Sequence, residues 1–199
     1  MIPRFVLTMA LTCLAGCAEP EPLPPAHLPP KIAILPVHNR TGDPLAVSGT
    51  GLFDRYVTQS GEATVSDVLG SEARLQLQRN GFEVLAPEVV EKALHGCVPT
   101  SPESVFDLAA QGGLGTPCLY LEIRQWEPDV RMHVKYVIVR LTASLVDLST
   151  RQVLWQAEHR PAPVLTPGEV LLDGAYVTAA RKVMAGMLGG LHPDPSGPR

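Results

Sequence analysis

No second apolar run in these 199 residues comes near the ~20 residues that a membrane-spanning helix needs. The first, Phe5 to Cys13 (FVLTMALTC), is nine residues long and follows the positive charge of Arg4. Positive charge is scarce: 16 Lys and Arg against 20 Asp and Glu leave a net charge of −4. That removes the electrostatic case for nucleic acid or for anionic lipid headgroups as partners. Between residues 31 and 192 histidine occurs singly at His38, His95, His133, His159 and His192, with no second ligand at helical or hairpin spacing, so neither a metal nor a cofactor is expected. "GGLG" at Gly112 to Gly115 follows a helical pattern and precedes a strand, the reverse of a phosphate-binding loop, and "GTG" at Gly49 to Gly51 has no lysine after it. No serine stands in a G-x-S-x-G elbow. No internal repeat is visible. A hydrolase, the least favoured reading, has no convergent polar site in view.

What is present begins with the leader. A short positive stretch, an apolar run within the ~7–15 residues of a signal peptide, and Leu14-Ala15-Gly16-Cys17 follow in order. This resembles the lipobox of bacterial lipoproteins, which implies cleavage before Cys17 and acylation of its thiol. Ala18 follows, not the aspartate that holds enteric lipoproteins in the inner membrane. The resemblance therefore implies an outer-membrane anchor facing the periplasm. Residues 1–16 are then signal peptide. Residues 17–30 are the lipidated cysteine and a linker, "AEPEPLPPAHLPP", whose prolines favour an extended, semi-rigid spacer. Residues 31–192 are one domain, and 193–199 a disordered tail.

Within the domain, Lys31 to Val37 (KIAILPV) is apolar without alternation, as in a strand buried on both faces. Asn39 to Pro44 is loop chemistry. Val65, Leu69, Ala73 and Leu77 recur every four residues, with Asp67, Glu72, Arg74 and Arg79 elsewhere: an amphipathic helix that Asn80 and Gly81 end. A short strand, Phe82 to Leu85, precedes a second helix from Pro87 to Gly96, and a third runs from Ser101 and Pro102 to Gly112. The period then changes. Cys118 to Trp126, His133 to Leu148 and Gln152 to His159 alternate as strands joined in an antiparallel meander. A last helix opens at Thr166 and Pro167, with Val170, Gly174, Val177, Met184, Leu188 and Leu191 at helical spacing. The expected class is α/β, a mixed sheet with helices packed on it.

"KIAILPVHNRTGDP", "NGFEVLAPEVVEKAL" and "LYLEIRQWEP…VKYVIVRLTASLVDLSTRQVLW" together resemble lipoproteins whose fold is like the amino-terminal domain of TolB. That group includes the curli-secretion channel subunit, activators of penicillin-binding proteins and a neisserial surface-lipoprotein family. In the last, long strands end in an aspartate, a small turn and a "vLW" strand, here Asp147, Ser149 to Gln152 and Val153 to Trp155, with Arg151 where that turn usually holds glycine. The resemblance implies a fold, not a catalytic residue.

The expected function is therefore non-enzymatic: a lipid-anchored protein making protein contacts in envelope assembly, secretion or transport, with homo-oligomers left open. The alternative is a curli-like pore subunit. Trp126, Val134, Tyr136 and Ile138 form the candidate interaction surface, and Trp126 and Trp155 are read as cross-strand neighbours. Glu122, Glu127 and Asp129 are weighed as an acid–base group and read instead as solvated edge charges. Cys97 and Cys118 lie at element ends and form a candidate disulfide, worth roughly 3 kcal/mol on the loop-entropy model, against two free thiols as the alternative.

Overall fold

The computed structural model describes residues 28–47, 63–129, 136–169 and 171–194. It is an α/β fold built on a mixed sheet. β1 (Lys31–Ile34) lies between two parallel neighbours, β5 (Glu83–Val84) on one side and β6 (Cys118–Pro128) on the other. β2 (His38–Asn39) continues the chain and also pairs in parallel with β6. β7 (Tyr136–Asp147) and β8 (Gln152–Leu165) complete an antiparallel meander, and β3 (Ala46–Val47) pairs with β4 (Ala63–Thr64) in a separate small sheet.

Helices cover both faces, which explains why β1 has no polar alternation. Ile32 and Ile34 point into the larger core beneath α1 (Val65–Arg79) and α4 (Leu172–Leu188). Ala33 and Leu35 point into a smaller core beneath α2 (Pro87–Leu94) and α3 (Pro102–Gln111). The same division runs along the meander: Leu119, Leu121, Ile123, Val137, Val139, Leu141 and Leu145 face α1 and α4, while Cys118, Tyr120 and Val146 face α2 and α3. β6 thus buries every residue from Cys118 to Ile123, not the alternate ones that its pattern predicts.

Local sequence sets the helix ends. Thr64 and Asp67 form a reciprocal capping box at the start of α1, each side chain accepting from the other's backbone N–H. The predicted stripe Val65, Leu69, Ala73 and Leu77 is buried. Glu72, placed by the pattern on the outer face, is buried as well and reaches Arg181 of α4 at 3.4 Å. Pro87 opens α2, and His95 and Gly96, both left-handed, close it. The last helix begins later than predicted: Thr166 to Glu169 form a turn with Gly168 left-handed, and α4 starts at Leu172. Val170 lies outside the described residues. β8 in turn extends six residues past His159.

Contacts of the fold reach beyond residues 31–192. Leu28 is buried in the larger core, and its carbonyl accepts from the backbone N–H of Asp194 at 2.9 Å. Linker and tail therefore meet at one edge of the fold.

Candidate functional site

α2 and α3 cover only part of their side of the sheet. The rest of that side carries a polar row and an apolar tip. The row is built on β6 and its two neighbours. His38 opposes Glu122 across the parallel β2–β6 pair; Thr142 opposes Glu122 and Ser144 opposes Tyr120 across the β6–β7 pair. β6 carries one extra residue, Arg124, between the paired Ile123 and Gln125, and this bulge turns Arg124 back towards Glu122.

Two arginines converge on the Glu122 carboxylate. Arg40 Nη1 donates to Oε1 at 2.8 Å, and Arg124 Nε lies 3.3 Å from the same oxygen. The Glu122 side chain is 6% exposed, whereas those of Arg40 and Arg124 are 57% and 38% exposed. Arg40 is held by the loop that follows it. Asn39 Oδ1 accepts from the Thr41 N–H and hydroxyl, Asn39 Nδ2 donates to Asp43 O, and Asp43 Oδ1 accepts from Leu45 N–H. The "NRTGDP" loop is thus tied by its own side chains, with Gly42 in the left-handed region.

The electrostatics follow from these contacts. Burial alone pushes the Glu122 carboxyl up, but the hydrogen bonds and charges of Arg40 and Arg124 outweigh it and hold the group below its ordinary value. Glu122 stays ionised and is unsuited to be a proton donor at neutral pH. Beside it, Tyr120 Oη lies 3.1 Å from His38 Nδ1, and burial together with the Glu122 charge pushes the phenol up to about 12. Glu127 is exposed about four ladder steps along β6, some 13 Å away at 3.3 Å per residue, so the two carboxylates do not share a site. Among the described residues no group of three or more His, Cys, Asp or Glu side chains is arranged to hold a metal ion. Nor is any helix among them long and apolar enough to cross a membrane.

Beyond the row, at the tip of the meander, Tyr136 opposes Leu165 and Ile138 opposes Pro163. Tyr136 and Ile138 are half-buried, Pro163 is exposed and Leu165 is 64% exposed. These are two of the four residues expected on an interaction surface. Trp126 is a correction: the bulge at Arg124 returns it to the α1/α4 side, where it is buried edge-on against Tyr176 of α4 at 5.9 Å, its Nε1 without a hydrogen-bond partner. It is not a neighbour of Trp155; Trp126 opposes Val139 and Trp155 opposes Leu145. Val134 and Cys17 lie outside the described residues.

The structure also departs from the expected disulfide. Cys97 and Cys118 are both free thiols, the first exposed beyond α2, the second buried at the start of β6 in the smaller core. Burial pushes the Cys118 thiol up to about 12. The Arg40–Glu122 pair was not legible in the sequence, because its members are 82 residues apart and only the β2–β6 register joins them.

No family model matches the chain, and no curated protein matches it. Solved structures do. The PelC dodecamer from Paraburkholderia phytofirmans is 17% identical over 85% of this chain and 93% of its own, with a TM-score of 0.48. Lipoprotein GNA1162 from Neisseria meningitidis is 18% identical over 79% and 97%, TM-score 0.44. The LpoB C-terminal domain from Salmonella enterica is 15% identical over 70% and 85%, TM-score 0.43. None is similar enough to lend this chain a partner or an activity.

Proposed function

We propose that this chain is a lipid-anchored protein of the bacterial envelope, tethered through Cys17 to the outer membrane on its periplasmic face, that acts by binding another protein and not by catalysis. One observation carries the contact: the side of the meander that α2 and α3 leave open ends in two cross-strand apolar pairs, Tyr136–Leu165 and Ile138–Pro163, with Leu165 largely exposed. Apolar side chains concentrated on one uncovered sheet surface are typical of a docking face. The polar row next to it supports the same reading, since its carboxylate is locked between two arginines. Edge pairing is a poorer route to a partner. β8 is the outer strand, and Pro161 and Pro163 withhold the N–H groups that an added strand needs.

Two experiments test the two halves of the proposal. Cys17→Ser should yield an uncleaved precursor that takes up no labelled palmitate, and equal labelling of variant and parent would remove the anchor. A photo-crosslinking residue at Leu165 of the lipidated protein should trap a discrete protein adduct in the envelope, while the same residue at the exposed Val89 of α2 should trap none. Absence of an adduct at Leu165 would remove the docking face.

A further inference from the structure

We infer that Arg40 and Arg124 form a clamp for a carboxylate, and that the partner meets the open side of the sheet with an acidic, extended segment. The inference rests on the docking reading above and names the chemistry of what docks. Two guanidiniums bring ten N–H donors to one buried carboxylate that has about four lone-pair sites, so most of their donors are not committed to Glu122. Both side chains are well exposed, and Glu122 holds them from beneath. The loop ties behind Arg40 and the bulge at Arg124 fix where each begins. Arginine forks held in place in this way match the planar geometry of a carboxylate.

A second observation points to the same place. Thr142 and Ser144 share the row with Glu122 and Tyr120, are 8% and 3% exposed, and neither hydroxyl makes a hydrogen bond among the described residues. Their oxygens are open to solvent and are not among the sealed polar atoms that lack a partner. Here the two stand beside the arginines, ready to donate to an anion or to the backbone of a bound segment.

The shape of the surroundings selects the occupant. α3 packs on the same side of the sheet, against Cys118, Tyr120 and Val146, and rises above it by about the 10 Å of a helix diameter. The row lies at the foot of that step. A flat bilayer is held away from it, whereas an extended peptide can lie along the step, with a carboxylate on the arginines and apolar side chains on Ile138 and Leu165. Acidic groups border the row on either side. Arg140 is paired with Glu158 at 3.0 Å, and the charge of Glu103, in the first turn of α3, acts on Tyr120. The attraction is therefore confined to Arg40 and Arg124 and favours a single carboxylate over a dense anionic surface.

The test uses the full mature chain with a fluorescein-labelled extended peptide that carries one glutamate followed by leucines, read by anisotropy, with inorganic phosphate and phosphatidylglycerol vesicles as separate arms. The peptide should bind saturably, and Arg124→Gln, which leaves Arg40 on Glu122, should weaken it at least tenfold. Ser144→Ala and Thr142→Val keep the ion pairs and should each weaken binding several-fold at an unchanged melting temperature. Equal peptide binding by Arg124→Gln and the parent overturns the clamp. Competition by phosphate at the peptide's own affinity overturns the segment and leaves a small-anion site, and vesicle binding that depends on Arg124 overturns it in favour of lipid. If the peptide fails while the Leu165 crosslink persists, the clamp falls and the docking face stands.

Discussion

The two sides of β6 are built from different chemistry. Towards α1 and α4 it presents Leu119, Leu121, Ile123 and Trp126, all buried. Towards α2 and α3 it begins the same way, with Cys118 and Tyr120, and then passes within two residues to Glu122 and Arg124 where the helices stop. One strand thus serves as core on one side and as half core, half surface on the other. The difference lies in how much helix lies across each side: α4 alone spans 17 residues, α2 and α3 only 8 and 10. What a short helix leaves open has to be polar, or apolar for a purpose.

Replacing Leu121, wholly buried beneath α1 and α4, tests the covered side most severely. Leu121→Ala should lower stability by about 3 kcal/mol in urea unfolding, the transfer term plus the cavity left in a tight core. A loss comparable to that of an exposed leucine such as Leu75 would show that this side is not the main core.

On the other side the largest effect belongs to Glu122. Glu122→Gln should cost about 2 kcal/mol at pH 7, as hydrogen bonds to a charged group are lost and two arginines lose their counter-charge. Because the folded-state value of Glu122 is lowered, its contribution is complete above the ordinary glutamate value of about 4.3 and is lost as pH falls through the folded value. The gap between parent and variant should therefore hold from pH 7 to about 5 and close below the folded value. A gap that persists into strong acid would mean that Glu122 acts through shape and not through charge.

Much of this contrast could be read in advance. The α/β class, the meander, the stripe of α1 and the proline start of α2 come from local periodicity and capping, which neighbouring residues specify. The unbroken apolar run of β1 gave the coverage on both faces. β6 looked half-exposed because Glu122 and Arg124 imitate a solvent face; the partners that make Glu122 a buried residue sit directly after β2 and on the bulge. Trp126 was misplaced for the same reason: one extra residue reverses the alternation after Arg124, and no local signal marks it. The start of α4 slipped because Thr166-Pro167 has the chemistry of a cap, yet Gly168 turns left-handed directly after it.

The cysteines give a smaller test of the same contrast. Cys118 behaves as a small hydrophobe under α2 and α3, while Cys97 is in water. Cys118→Ser should cost about 1 kcal/mol by burying a hydroxyl in apolar surroundings, and Cys97→Ser almost nothing. In the native protein an alkylating reagent should modify Cys97 and spare Cys118 until urea unfolds the chain. Non-reducing mass mapping that finds the two cysteines joined would restore the disulfide.

The smallest effect is expected at the turn that pins the meander to α3. Asp147 accepts from the Ser149 N–H and hydroxyl and from the Thr150 hydroxyl, and Arg151 then takes φ +56. This is the position where the resembled turn has glycine, and the left-handed backbone explains that preference, since an L-residue there costs about 1–2 kcal/mol. Arg151 offsets the cost outside the turn: its guanidinium reaches Asp107 at 3.0 Å and lies 5.3 Å from the centre of the Phe106 ring, both on α3. Exposed ion pairs and cation–π contacts contribute up to about 1 kcal/mol each. Arg151→Gly relieves the backbone and loses the contacts, so its stability should stay within about 0.5 kcal/mol of the parent. Arg151→Ala keeps the strained backbone and loses the contacts, and should fall about 1 kcal/mol below both. If alanine and glycine prove equal in urea, the left-handed backbone is not what the turn selects for. If glycine is as damaging as alanine is expected to be, the contacts with α3 outweigh it.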